Sequence, residues 1–442
     1  MNDYASLPID PGARAELEVR GLRLDLLDTA DRERSRLWLL AEGRGFHEQT
    51  PSDHVLETQA DTNLDDRVVG VWDDTLASPD TPVGTVRSWQ TNLTVPGGGT
   101  VPAWAISGVT VAATHRRRGI ARAVLTSELR ATRDLGLPLA ALTVSEATIY
   151  GRYGFGPAAY QAPYEIDTRR SRWIGPVPAG RVQFVSAESI LADGPAVFER
   201  ARLSSPGEID RRDSWWKRTL ALTGSEPDTK RRIRVVRYDD GGGIAEGFAI
   251  YEVTLVVDAS PGRLTLIDLV AATDDAYAAL WRFILEMDLV NVVSAPLRSV
   301  SEPLSWQIAD GRAIRKTDQR DHLWLRILDV REALERRRFA AAGDYVLTVD
   351  DDLGFADGTY LLSVGADGSG VVRSVGEDAA EIPAGAAQVK LSVADLAAIY
   401  LGGSSAKDLT RAGRIIEKSP DAAARLDAAF RSERPPRLSI WF

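Results

Sequence analysis

Residues 109–121, Val-Thr-Val-Ala-Ala-Thr-His-Arg-Arg-Arg-Gly-Ile-Ala, constrain this chain more than any other stretch. An apolar run over 103–111 ends in a short basic turn. A helical pattern starts at once, with Ile120, Val124, Leu125 and Leu129 at three- and four-residue spacing between Gly119 and Arg133. A strand that enters a helix this way aims the helix's unpaired N–H groups outward, where they and the helix dipole favour an anion. Gly119 lets the backbone approach a phosphate closely, and Arg116, Arg117 and Arg118 add charge. The turn reads as a pyrophosphate cradle. A run of Arg alone is more often a solvated face, so the context has to decide. A P-loop would need G-K-[ST] and a dinucleotide fold G-x-G-x-x-G, and neither occurs.

The context supplies a second half. Leu139–Val144 is a short apolar run, Ser145 and Glu146 follow, and then comes Ile149-Tyr150-Gly151-Arg152-Tyr153-Gly154-Phe155-Gly156. Arg116-x-x-Gly119-x-Ala121 resembles the acetyl-CoA loop of the GNAT superfamily of N-acetyltransferases. The Tyr and Gly-Phe run resembles that superfamily's signature, in which a Tyr faces the CoA sulfur. Ala113–Gly119 taken with Ile149–Ala158 is similar to the Eis (enhanced intracellular survival) family. Leu323-Trp324-Leu325-Arg326-Ile327, Ala398–Gly402, Arg425–Phe430 and a sequence ending in Phe442 extend the likeness over essentially the whole chain.

At roughly 150 residues per domain, 442 residues suggest about three domains. Period and turn signals agree. A first unit has strands predicted over 19–27, 67–72, 81–94, 103–111 and 139–144, with helices over 29–42 and 119–133. The Gly- and Pro-rich segment Trp173–Gly180 is a boundary. A second unit has strands over 233–238, 247–256, 263–270 and 291–293 around a helix over 274–287. After residue 320 come a helix over 330–338, short strands near 345–349, 359–364, 370–374 and 388–390, and helices over 394–401 and 420–430. The resemblance implies an α/β (α+β) fold of tandem GNAT-like domains followed by a sterol-carrier-protein-like domain. The divisions are 1–163 (catalytic), 164–320 (degenerate) and 321–442 (carrier-like).

The resemblance also implies roles. Val109, Thr110 and Val111 meet the pantetheine arm through their backbone. Arg117, Arg118, Gly119, Ile120, Ala121 and Arg122 cradle the pyrophosphate, and Ser145 and Glu146 touch the cofactor from the neighbouring strand. Tyr150 is the general acid for the CoA thiolate, with Tyr153 competing in the same turn, and the main-chain carboxylate of Phe442 is the general base. An acidic residue next to the terminal Phe in the family's aminoglycoside modifier is Trp441 here. Phe46, His47 and Glu48 fall where the family's acceptor pocket lies. In the second unit Asp274 and Asp275 stand in the place of an Arg-Gly cradle, so that copy is expected to bind no CoA. Asp350-Asp351-Asp352 reads as a solvated turn rather than a cation site.

Composition removes other chemistries. The chain has no cysteine and four widely spaced histidines, so no disulfide, thiol nucleophile or metal helix is expected. The net charge of −10 argues against nucleic-acid binding and is compatible with a small cationic amine substrate. No run of 18 apolar residues and no secretory signal is visible, so a cytoplasmic protein without a membrane span is expected. The expected reaction is acetyl transfer from acetyl-CoA, without a metal, to an aminoglycoside or polyamine-like amine in a ternary complex. The enzyme is expected to be a homo-oligomer, a hexamer by the resemblance. The alternatives are a protein-lysine acetyltransferase and an apolar-ligand carrier that uses the C-terminal unit.

Overall fold

A computed structural model describes residues 3–62, 64–225, 227–254, 262–376 and 382–442. Among the described residues thirteen strands share one sheet. They are β1 (Arg23–Leu26), β2 (Arg67–Trp72), β3 (Gly84–Thr94), β4 (Thr100–Val111), β5 (Leu139–Thr143), β6 (Gly156–Asp167), β7 (Arg181–Phe184), β8 (Ile233–Asp239), β9 (Ala245–Thr254), β10 (Gly262–Ala271), β11 (Val290–Arg298), β12 (Ile314–Lys316) and β13 (Arg320–Ile327). Their order is β1-β2-β3-β4-β5-β13-β6-β11-β10-β9-β8-β7, with β12 on β6. The last two residues of the strand expected over 247–256 lie outside the described residues.

Two half-sheets meet in β6. Its early residues pair with β13, and Ala162 to Asp167 pair with β11. The sequence division places residues 321–327 in the third unit. In the structure β13 runs antiparallel between β5 and β6 and completes the first half-sheet.

Helix α1 (Pro11–Glu18), helix α2 (Arg32–Gly45), helix α3 (Asp53–Thr62) and helix α4 (Ile120–Asp134) cover the first half-sheet. Alternation along β2 sends Val69 and Val71 to α1 and α4, where they join Leu17, Ile120, Val124 and Leu129 in one core. Val68 and Trp72 face Trp38 and Leu39 of α2 and Leu56 of α3. Each such aliphatic side chain contributes about 1.5–3 kcal/mol by leaving water. Helix α2 starts and ends about three residues later than the sequence suggests, with Asp31 as its cap, accepting from Arg34 N (3.1 Å), whereas Gly119 opens α4 where expected, at φ 79°.

The remaining strands, β14 (Gly343–Asp350), β15 (Gly358–Val364), β16 (Gly370–Ser374), β17 (Ala387–Ser392) and β18 (Ile416–Glu417), form a second sheet ordered β16-β15-β14-β17-β18. Its core is continuous with Val101, Ala103, Leu139 and Ala141 of the first sheet. The helix Val393–Tyr400 lies so close to β6 that a Cβ on Gly156 would stand 1.9 Å from Ala394 O.

Two sequence expectations change. Asp351 is not solvated: it is 8% exposed and accepts twice from Arg326 Nη2 (2.7 Å each) and from the N–H groups of Leu353 (3.1 Å) and Ala356 (2.8 Å). Burial pushes its pKa up, but the guanidinium and these N–H groups outweigh burial and hold it below its ordinary value. The helix expected over 330–338 ends at Glu335. Beyond it Arg337 turns inward to donate to the carbonyls of Tyr400 and Phe430 (3.1 Å to Phe430). Among the described residues no helix is long and apolar enough to cross a membrane.

Candidate active site

The site lies where a parallel strand pair parts. β4 and β5 pair only at Ala103–Ala105 against Leu139–Ala141. Further on, β4 keeps its pairing with β3 and β5 with β13, so a gap opens. A bulge bends β4 at the gap. The β3 register steps from Thr85 opposite Thr110 to Arg87 opposite Ser107, leaving two residues of β4 opposite Val86. Gly108 sits in this bulge at φ 61°, and a Cβ there would lie 2.4 Å from Glu42 Oε1. Thr85 Oγ1 donates to Gly108 O (2.7 Å) and accepts from Thr110 Oγ1 (2.6 Å). Val109 and Val111 face the core under α4. Thr110 faces the other way, against Gly45 of α2.

The basic turn follows. Arg117 (φ 64°) and Gly119 are both left-handed, which turns the chain into α4. His115 Nε2 lies 3.1 Å from Asp73 Oδ2, and Arg118 donates to Asp73 (3.3 Å) and to Arg20 O (2.9 Å). Hydrogen bonds from Thr75 and His115 hold the Asp73 carboxyl well below the usual carboxylate range. Arg122 pairs with Glu16 of α1. Two arginines of the expected cradle thus brace the turn. Arg116 and Arg117 are exposed and, among the described residues, have no ion-pair partner. Ile120 is buried beneath the turn, Ala121 is half-buried, and Ser145 and Glu146 are exposed at the end of β5.

A cavity of about 400 Å³ fills the gap between Ile106–Val109 of β4, Leu142–Thr143 of β5, the end of α2 and the last residues of the chain. Ser145 and Tyr150 line it. Tyr150 ends a short helix, α5 (Ala147–Tyr150), and its ring meets Phe155 edge-on at 6.1 Å. Burial pushes its hydroxyl up to about 12, with Glu146 and Tyr153 adding to the shift. Burial raises Tyr153 as well. Tyr153 packs in the α4 core, away from the cavity-lining residues.

The end of the chain is anchored residue by residue. Glu208 accepts from Ser439 N (3.2 Å) and Oγ (2.8 Å) and pairs with Arg437 (3.2 Å). Arg211, paired with the buried Asp268 (2.6 Å), donates to Ser439 Oγ (2.8 Å). Ile440 O lies 2.8 Å from His322 Nε2, and the Trp441 indole stands edge-on to that imidazole at 4.4 Å. His322 is fully buried on β13, and burial lowers its pKa to about 4, so near neutral pH it is the uncharged donor. Thr143 Oγ1 donates to the main-chain oxygen of Phe442 (2.7 Å), and the Phe442 ring meets Trp89 edge-on at 5.8 Å.

Charged groups complete the cavity. Phe46 and Glu48 line it, whereas His47 (φ 59°) lies outside its lining. Glu42 and Arg87 face each other at 3.6 Å, and burial raises the Glu42 pKa while Arg87 pulls it down. Arg218, from helix α7 (Asp213–Thr219; helix α6, Ala187–Arg202, precedes it), also lines the cavity. Sequence reasoning missed Glu42, Arg87, Thr143, Arg218 and His322. Only Glu42 carried a signal, lying four residues after Trp38 on α2.

Comparisons with known proteins bear on the family. Models described as acetyltransferase (GNAT) domains match residues 30–158 and 207–355, and a sterol carrier protein domain matches 330–439. An uncharacterized N-acetyltransferase of Streptomyces avermitilis is 37% identical over 80% of this chain and 84% of that protein. N-acetyltransferase Eis of Mycobacterium tuberculosis is 34% identical over 81% of this chain and 86% of its own length. The crystal structure of Eis1 from Mycobacterium abscessus superposes with a TM-score of 0.78 at 29% identity, covering 95% of this chain and all of that one. A 13-strand sheet with two GNAT units, a carrier-type domain behind it, and relatives alike over four-fifths of its length place this chain in the Eis family of GNAT N-acetyltransferases.

Proposed function

We propose that this N-acetyltransferase moves the acetyl group of acetyl-CoA directly to an amine held in the cavity between β4 and β5. One observation carries the reading: Tyr150 and the Phe442 main-chain oxygen, held by Thr143, line the same cavity at the bulge of β4. The parted strands suit a pantetheine arm, and the left-handed turn at Arg117–Gly119, with exposed Arg116 and Arg117, suits a pyrophosphate.

The donor supplies a thioester. Backbone N–H groups of Val109–Val111 stabilise its carbonyl oxygen as charge develops. The carboxylate of Phe442 orients the amine and accepts its proton, directly or through a water. A carboxylate of ordinary pKa near 3.5 is too weak to deprotonate a free alkylammonium, so the amine attacks in its neutral form, and the carboxylate takes a proton only as the nitrogen lone pair bonds to the carbonyl carbon and the nitrogen becomes strongly acidic. Tyr150 protonates the departing thiolate, and its raised pKa keeps the proton on the phenol until that moment. Ser145, Glu146, Ile120, Ala121 and Arg122 frame the donor's outer part. Asp274 and Asp275 at the matching helix of the second unit repel a pyrophosphate, so the donor binds once per chain.

Glu42, Glu48 and the Phe442 carboxylate favour an amine that is cationic before reaction, in the class of aminoglycosides or polyamines. Thiol release from acetyl-CoA across an amine panel, with calorimetry of acetyl-CoA binding, tests the proposal. Absence of acetyl-CoA binding would overturn it.

A further inference from the structure

An acceptor that enters the cavity as an ammonium has to give up two protons to become an amide, and the Phe442 carboxylate is placed to take the one released as the N–C bond forms. Glu42 is placed for the other. It sits on the last turn of α2, one turn after Trp38, whose indole is fixed by donating to Val69 O (2.9 Å). Its carboxylate fills the space that a side chain at position 108 would take, with the Trp38 ring beside it, so Gly108 is what leaves room for it. Glu42 therefore stands against the bulge of β4, next to the N–H groups assigned to the thioester carbonyl, and it lines the cavity together with Tyr150 and Phe442. Glu48 lines the cavity too, but it lies beyond the end of α2 and is exposed.

Most of Glu42 is withdrawn from water. Its side chain is 16% exposed, and among the described residues no hydrogen bond ends on its carboxylate. Arg87 of β3 comes no nearer than 3.6 Å and also faces Asp66 (3.9 Å). Burial is the largest influence and raises the carboxyl, with Glu48 and Asp66 adding to it, while Arg87 and then Arg218 oppose it; the balance is upward. A bound pantetheine arm excludes more water from the gap, which loosens an ammonium's hold on its proton and tightens the carboxyl's. We infer that Glu42 is a catalytic residue of this enzyme, the group that takes the first proton from the bound ammonium and so delivers a neutral amine to the thioester. This step rests on the acetyl transfer proposed above and adds to it. One ammonium N–H bond breaks and its proton passes to Glu42. The freed lone pair forms the N–C bond, the C–S bond breaks with its electron pair on sulfur, Tyr150 gives its proton to that thiolate, and Phe442 takes the second proton from nitrogen. Of the two protons lost by nitrogen, one restores Tyr150 and the other leaves to solvent.

Glu42→Gln keeps the shape of the side chain and removes the proton acceptor. With cadaverine as the amine, kcat of the variant at neutral pH should fall by about 10²-fold or more, the scale of a general base, while the calorimetric Kd for acetyl-CoA stays unchanged. The deficit should close as the pH rises toward about 10, where the amine sheds its own proton. Trifluoroethylamine, uncharged at neutral pH, should lose little in the variant. In the unmodified enzyme kcat should fall on the acid side along a limb above the usual carboxylate range, because Glu42 must be ionised to accept. A deficit confined to KM would make Glu42 only an attractor of cations. A kcat deficit of the same size at every pH, or of the same size with trifluoroethylamine, would make it structural. Either result, or an unchanged kcat, would overturn the inference and leave amine acetylation standing. Failure of the unmodified enzyme to bind acetyl-CoA or to acetylate any amine would instead remove the proposed function, and this step with it.

Discussion

Tyr150 sets the clearest expectation for a single residue. A general acid of this kind contributes about 10²–10⁴-fold. Tyr150→Phe should therefore lower kcat by that order while the calorimetric Kd for acetyl-CoA stays within about twofold, because the ring and its contact with Phe155 remain. The pH dependence carries a second signature. A phenol with the ordinary pKa near 10 would lose its proton, and the rate with it, as the pH approached 10. Held near 12, Tyr150 stays protonated there, so kcat should not fall between about pH 8 and pH 10. A descending limb centred near 10 would point to a different acid.

His322 gives a stability expectation with a definite sign. Its folded pKa of about 4 lies below the unfolded value of 6.5, so the neutral ring is favoured in the folded chain. The resulting stabilisation is fully present above about pH 6.5 and is lost as the pH falls toward 4. It amounts to about 3 kcal/mol. Thermal unfolding at pH 7 and pH 5 should show the loss, and His322→Gln should flatten it. Asp321 pulls the ring the other way, so a flat profile in the unmodified protein would mean that this carboxylate wins.

Among the elements, the segment from Arg437 to Phe442 is the one that makes the site. It is tied to Glu208, Arg211, His322 and Thr143, which come from three separate parts of the chain. Extending the chain beyond Phe442 should abolish acetyl transfer and leave acetyl-CoA binding intact, and activity in a C-terminally tagged protein would remove Phe442 from the base role. His322→Ala should lower kcat by about fivefold with KM for acetyl-CoA unchanged, since one anchoring hydrogen bond is worth about 1 kcal/mol. Legibility follows the same line. The turn at 112–119, Tyr150 and most regular elements were readable because they depend on local period and on Gly, Asp and Arg at short spacing. β6 was not read as a strand because its 12 residues change partners midway, a long-range property. Thr143, Arg87 and Arg218 carry no motif. They reach the cavity through strand register and through a helix of the second unit, and no local pattern records that.

Across the whole molecule, the pair Arg326–Asp351 locks the catalytic sheet to the carrier-type domain. Both side chains are buried, and Arg326 also holds Tyr153 O (2.7 Å) just after the proposed acid. Removing one partner of a buried pair strands the other charge, at about 3–5 kcal/mol. Asp351→Ala should therefore lower the Tm by several degrees and also slow acetyl transfer, because the turn carrying Tyr150 loses its brace. A drop in Tm with turnover unchanged would show that the two domains are joined mechanically but not functionally.

The placement of β13 bears on how such a chain comes to be folded. β5 and β6 are consecutive in sequence, yet they are kept apart by a strand synthesised long after both. As the chain emerges from the ribosome, the first half-sheet must wait with two unpaired strand edges while the entire second unit is made. Closing so long a loop is slow, and waiting edges are prone to wrong pairing. Assembly of this enzyme should therefore be limited by the arrival of residues 320–327, and its folding yield should depend on helpers that shield those edges until then.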